Sequence, residues 1–254
     1  MGARRSTYFN RLILQRKLLF GFGSLVLLLT TGYQGEAIVG GTIAPSDQIA
    51  EAMPFQPADL AVETQNGAVP AGDALQDDSS INVGMVHQWL ADYRTGLSTA
   101  QKRQLAKVLF EESQRYGLQP TVVMALIATE SSFFNWSKSE QGAVGLMQLS
   151  PITAEAMVRQ WSASGVRLNW SGEESLYDPA INLRLGLRYL SQLVRQFGDL
   201  RTALTAYNYG PTRVSEWLAE GKPLPLTYAN RILSLSKELR DQSQDRALLG
   251  DQQA

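Results

Sequence analysis

Zero cysteines and a single histidine, His87, leave this sequence few side chains with which to do chemistry. Thiolate metal sites, disulfides, a histidine zinc site and a Ser-His-Asp relay are excluded. His87 lies in MVHQWLADY among apolar residues at helical spacing, the setting of a packing or surface histidine. Carboxylates, amides, hydroxyls and tyrosines remain. One carboxylate stands apart. In ALIATESSFFNWSKSEQGAVGLMQLSP, starting at Ala125 and ending at Pro151, an almost wholly apolar run closes on Glu130 and a long polar loop then leads to GLMQ at 145–148.

Val123, Leu126 or Ile127, and Glu130 recur at i, i+3/i+4, so the carboxyl shares a helix face with core-forming side chains. Burial disfavours the charged form, and the last turn of a helix adds the negative end of its dipole. Both effects raise the pKa. A carboxyl that keeps its proton near neutral pH meets the requirement for a general acid. Periodicity alone allows two ordinary alternatives: a buried glutamate neutralised by an arginine elsewhere, or one that turns to solvent at a frayed helix end. The loop favours catalysis. A helix core has no need of a long polar excursion with Gly142 and Gly145, whereas a glycoside cleft needs backbone amides close to its acid.

The elements that must position Glu130 are helical. LSTAQKRQLAKVLFEESQRYG opens with a capping box of Ser98 and Gln101, carries Leu105, Val108 and Leu109 on one stripe, and stops at Gly117. Pro120 opens the helix that ends at Glu130, and another follows Pro151 through ITAEAMVRQW. The pair Asp178 and Pro179 starts a helix bearing Ile181, Leu185, Leu187, Leu190 and Val194 as far as Gly198, and Asp178 is better explained as its cap than as a second carboxylate. TALTAYN, TRVSEWLAEG and LTYANRILSLSKELR fit further helices. No segment here alternates convincingly at period two, so residues 81–242 are expected to form an all-α domain, with 243–254 a flexible tail.

The N-terminal part reads differently. Five basic residues (Arg4, Arg5, Arg11, Arg16, Lys17) precede LLFGFGSLVLLLTT, an apolar stretch shorter than the roughly 20 residues that span a bilayer. Residues 1–37 thus have the form of a signal peptide, with Gly35 and Ala37 at small-residue positions, or of an uncleaved membrane anchor. Residues 38–80 carry seven acids and four prolines but no lysine or arginine, the composition of a flexible, solvated linker. As a coil it would reach on the order of 35 Å. Residues 81–254 hold 18 Lys or Arg against 16 Asp or Glu, without a basic cluster spaced to follow a phosphate backbone, so nucleic acid is not an expected partner.

ALIATESSF, GAVGLMQLSPITA, YDPAINLRLGLRYL, ALTAYNYGPTRV and TYANRIL resemble, in order and spacing, the catalytic domain of the soluble lytic murein transglycosylase family over roughly residues 100–235. The resemblance implies a lysozyme-like fold with Glu130 as sole catalytic acid and base. Ser131 and Ser132 would complete the family's ES element. Ser139 matches its loop serine, near the glycan. Gly145, Leu146, Met147 and Gln148 match a wall along the sugar, with Gln148 hydrogen-bonded to it and Gly145 permitting close approach. Tyr207 and Asn208 match the AYN motif, whose tyrosine hydroxyl lies beside the acid, and Tyr228 matches the late tyrosine of the final helix. This sequence departs from the family at Phe134-Asn135 in place of Asn-Pro, at Ser150 in place of a methionine, and at Tyr209 in place of an alanine.

The implied reaction is cleavage of the β-1,4 bond between N-acetylmuramic acid and N-acetylglucosamine without water, leaving 1,6-anhydro ends, with no metal and no cofactor. Glycosidases that lack a second carboxylate use the sugar's own acetamido group, which agrees with the absence of a persuasive second acid. A goose-type lysozyme acting hydrolytically and a non-catalytic peptidoglycan-binding scaffold are the rival readings. The implied partners are peptidoglycan glycan strands in the periplasm of a bacterium. Export as a soluble protein, inner-membrane association through the N-terminal segment, and engagement with cell-wall or secretion machinery are all left open.

Overall fold

The computed structural model describes residues 81–250, with side chains as far as 245. The expected signal or anchor segment and the linker lie outside the described residues. Within them the architecture is helical: α1 (Val83–Ala91), α2 (Thr99–Arg115), α3 (Pro120–Glu130), α4 (Pro151–Ala163), α5 (Pro179–Phe197), α6 (Leu200–Tyr209), α7 (Pro211–Ala219) and α8 (Thr227–Gly250), with a 3₁₀ turn at Glu173–Tyr177. No helix among the described residues is long and apolar enough to cross a membrane.

The local signals set most of the boundaries. Both arms of the capping box form at α2: Gln101 N donates to Ser98 Oγ at 3.3 Å and Ser98 N donates to Gln101 Oε1 at 2.9 Å. Asp178 caps α5 by accepting from the amides of Ala180 and Ile181 at 2.8 and 3.0 Å, and Gly198 ends that helix at φ +80°. Ser150, where the sequence leaves the family pattern, is the N-cap of α4. Its Oγ accepts from Thr153 N at 3.1 Å and donates to Thr153 Oγ1 at 2.8 Å. One boundary differs from expectation. Helix α8 runs on to Gly250, and Ser243, at the start of the anticipated tail, is buried with its hydroxyl donating to Leu239 O at 2.8 Å. A hydroxyl bonded back to the i−4 carbonyl is consistent with a continuing helix.

Helix α3 is the centre of the domain. The sequence suggests a single apolar stripe, but every residue from 120 to 128 is buried, because α8 covers one side, α2 another, and neighbouring segments the rest. Leu126 and Ile127 are wholly enclosed, and each such side chain contributes roughly 1.5–3 kcal/mol. A buried Ser236 Oγ donates to Thr121 Oγ1 at 2.9 Å, fixing α8 against α3. Helix α5 packs on α2, α4 and α6 through Leu183, Leu185, Leu187, Leu190, Leu193 and Val194, whereas Ile181 is only half-buried. Helix α6 in turn contacts α7 and α8. The end of α3 therefore meets α8, with Tyr207 of α6 nearby.

Candidate active site

Two glutamates enter the protein interior, and they fare differently. Glu112 on α2 is buried between two guanidinium groups, with Arg184 Nε at 3.3 Å and Arg115 Nη1 at 3.5 Å. That is the ordinary fate of a buried acid. Glu130 is partly exposed at the last position of α3, and its Oε1 accepts a hydrogen bond from the Tyr228 hydroxyl of α8. No guanidinium hydrogen-bonds it among the described residues. Burial pushes its pKa from 4.5 up to about 7; the Tyr228 hydrogen bond and the charge of Arg231, one turn along α8, pull against the rise without cancelling it. Near neutral pH the carboxyl exists in both protonation states, as a group that first gives and later takes a proton must.

The chain leaves α3 abruptly. Ser131, the C-cap, is buried; its amide donates to Ile127 O at 3.0 Å and its hydroxyl donates to the same oxygen at 3.3 Å. Ser132 and Phe133 follow at φ +53° and +63°, uncommon for residues with side chains, and they swing Phe133 into the core against Tyr93 at 4.2 Å between ring centroids. Ser131 thus terminates the helix. Asn135, the departure from Asn-Pro, pins the loop: its amide donates to Thr95 O at 3.0 Å and its Nδ2 donates to Tyr177 O at 2.8 Å.

The polar loop folds into a small antiparallel device in which Val144 bridges both Lys138 and Leu149. Ser139 closes it, its Oγ accepting from Ala143 N at 3.0 Å and its amide donating to Ala143 O at 2.9 Å. Gly145 lies at φ +80°, and a Cβ there would come within 2.2 Å of Asn182 Nδ2 and 2.5 Å of Leu176 O. The close approach it permits is to the protein's own α5 segment. Leu146 and Met147 are wholly buried, and the Met147 backbone is engaged at both ends, its amide donating to Asn182 Oδ1 and its carbonyl accepting from the Tyr207 hydroxyl. Gln148, at φ +48°, donates from Nε2 to Gly145 O at 2.9 Å and to Ser137 O at 3.2 Å. Its Oε1 is the atom left to offer.

Asn182 organises this wall, and no role for it was read from the sequence. Fully buried on α5, it accepts from Met147 N at 2.8 Å and donates from Nδ2 to Val144 O at 2.9 Å and Leu176 O at 3.0 Å. An asparagine on the helix face that also carries Leu185 and Gly186 was the available signal. Gly186 matters too: a Cβ there would sit 2.4 Å from Met147 Sδ.

The resemblance puts the Tyr207 hydroxyl beside the acid, whereas the hydrogen bond to Glu130 comes from Tyr228. Tyr228 donates to Glu130, while the Tyr207 hydroxyl donates to Met147 O at 2.8 Å. Tyr207 is near enough for the charge on Glu130 to raise its pKa further beyond what burial does, but its hydrogen bond steadies the wall. The reason is the course of α8, which brings Tyr228 over the end of α3. Asn208 is exposed at the end of α6, and Tyr209 packs edge-on to Trp217 with centroids 5.5 Å apart. Glu130 is hydrogen-bonded to Tyr228 and lies near Tyr207, which bonds Met147 in the 145–148 wall, and Ser139 closes the loop that leads into that wall; Ser131 is buried with its hydroxyl on Ile127 O, and Asn208 is exposed. Among the described residues no cluster of acids or histidine could hold a metal ion.

Comparison with known proteins points the same way. Residues 107–225 match the family described as the transglycosylase SLT domain. A soluble lytic murein transglycosylase of Escherichia coli strain K12 is 41% identical over 96 residues, 37% of this chain and 14% of that protein. A transglycosylase of Enterobacteria phage PRD1 is 35% identical over 113 residues, 44% of this chain and 37% of its own. Membrane-bound lytic murein transglycosylase C of Haemophilus influenzae strain PittGG is 34% identical over 119 residues, 42% of this chain and 32% of its own. The chain matches well under half the length of each of these relatives. The helices that position Glu130 fall largely within residues 107–225, the part of this chain that matches the transglycosylase SLT domain family.

Proposed function

We propose that this protein is a lytic transglycosylase that cleaves the β-1,4 bond between N-acetylmuramic acid and N-acetylglucosamine in peptidoglycan without hydrolysis. The carrying observation is Glu130: one carboxyl with a pKa raised to about 7, held by Tyr228 and near Tyr207, whose hydroxyl bonds the 145–148 wall at Met147 O. Protonated Glu130 gives its proton to the glycosidic oxygen as the C1–O bond breaks, and the acetamido carbonyl oxygen of the muramoyl sugar closes on C1 to form an oxazolinium ion. Glu130, now a carboxylate, takes the proton of the C6 hydroxyl. That oxygen attacks C1, the acetamide is regenerated, and a 1,6-anhydro ring results. No water enters and Glu130 ends protonated as it began.

Asp178, the acid closest in sequence to the wall's α5 support, is committed to capping a helix and supplies no second catalytic carboxylate, which supports assistance by the substrate. The relatives include proteins named as soluble and as membrane-bound murein transglycosylases. An exported location in a bacterial periplasm, free or attached to the inner membrane, fits both. The test is the mass of products released from purified sacculi by wild type and by Glu130→Gln. Anhydromuropeptides from wild type and none from the variant are expected. Reducing ends one water heavier would make the enzyme a hydrolase, and sacculus binding without any release would make it a scaffold.

A further inference from the structure

The exposed aromatic side chains among the described residues are Trp136, 55% exposed, and Phe134, 46% exposed, in the loop that follows Glu130. Scattered exposed apolar residues need no explanation, but this indole is held. It stacks on Tyr177 with centroids 5.4 Å apart and planes inclined by 26°. Its Cδ1 and Nε1 also lie close to Gly96, at φ +74°, where a Cβ would stand 2.9 and 3.1 Å from them. Asn135, buried between the two aromatics, ties the backbone to Thr95 O and Tyr177 O. Three segments distant in sequence thus fix the orientation of one ring and leave about half of it open to solvent.

The location is equally specific. Ser137, the next residue, accepts on its carbonyl from Gly145 N at 2.8 Å and Gln148 Nε2 at 3.2 Å. The indole is therefore continuous with the wall built beside Glu130. We propose that Trp136 is a stacking platform for a pyranose ring of the glycan strand, extending the binding surface beyond the bond being cleaved; this rests on the peptidoglycan reading above. The C–H bonds on one face of a pyranose are weakly electropositive and apolar, and they complement the electron-rich face of an indole. A ring already fixed by Tyr177 and Gly96 loses little conformational freedom on binding, so the contact goes into affinity.

The test uses the full chain. Binding of purified glycan strands is measured in a Glu130→Gln background, where the ligand stays intact, and turnover of sacculi is measured with Glu130 present. Trp136→Ala and Trp136→Leu are each expected to raise Kd and KM about tenfold, with the loss in KM and not in kcat, while Trp136→Phe keeps most of the affinity. Leucine retains apolar packing on Tyr177, so it reports should the alanine variant fail to fold. If wild type makes no anhydro products but glycan binding still depends on an aromatic ring at 136, the platform stands and only the transglycosylase reading falls. Glycan affinities for the alanine and leucine variants equal to that of wild type overturn the platform and leave the aromatic pair for a protein contact.

Discussion

Glu130→Gln tests the central electrostatic argument without any substrate. The glutamine keeps the shape of the side chain and still offers an oxygen to Tyr228, but it cannot titrate. In wild type the folded-state pKa is raised from 4.5 to about 7. Below pH 4.5 folded and unfolded chains both hold the proton, and there is no penalty. Between the two values only the folded state holds it, so stability declines as pH rises; above about 7 the folded state bears the whole cost of a buried charge. That cost is about 3.4 kcal/mol, of which about 2.5 kcal/mol develops between pH 5 and pH 8. Other groups titrate alike in the two proteins and cancel in their difference. At roughly 2–4 °C per kcal/mol for a domain of this size, the Tm of Glu130→Gln should gain about 5–10 °C on wild type between pH 5 and pH 8. Scanning calorimetry at the two pH values reads it directly. A Tm difference that stays constant across that range would refute the reasoning, since it would mean that the carboxyl ionises at its ordinary value.

Three further outcomes follow from the same geometry. Turnover of sacculi should fall on the alkaline side with an apparent pKa of about 7, and Tyr228→Phe should move that limb to higher pH, because the lost hydrogen bond favours the carboxylate; a limb that stays in place, read from kcat/KM against pH, contradicts the assignment. Asn182→Leu strands Met147 N and the Leu176 carbonyl in the interior and leaves the Val144 carbonyl with only its bond from Leu149 N, so denaturant unfolding should show a loss of about 3–5 kcal/mol, with at least tenfold slower turnover by the folded protein. Gly145→Ala should cost about 2–4 kcal/mol because its Cβ overlaps Asn182 and Leu176 O, while Gly142→Ala, at a similar φ of +81° with nothing within 4 Å, should cost about 1 kcal/mol; equal costs would show that backbone conformation alone makes glycine necessary at 145.

What the sequence determined was mostly local. Ser98 with Gln101, Pro120, Asp178 with Pro179, and Gly198 each act within about one helical turn, so the helix ends could be read from neighbouring residues. The absence of cysteine and the lone histidine narrowed the chemistry to carboxylates, amides, hydroxyls and tyrosines, and an acid closing an apolar helix marked Glu130. Only the tertiary structure separated Glu130 from Glu112, since periodicity shows that an acid is buried but not whether Arg184 and Arg115 meet it. It alone decided that Tyr228, 98 residues from Glu130, touches the acid while Tyr207 supports Met147. It also decided that Gly145 makes room for Asn182. These choices depend on how α5, α6 and α8 pack around the end of α3, and a contact between chain segments many tens of residues apart leaves no period in the sequence. Packing selects which of several suitable side chains arrives, and at this site that selection decides which groups surround the proton on Glu130.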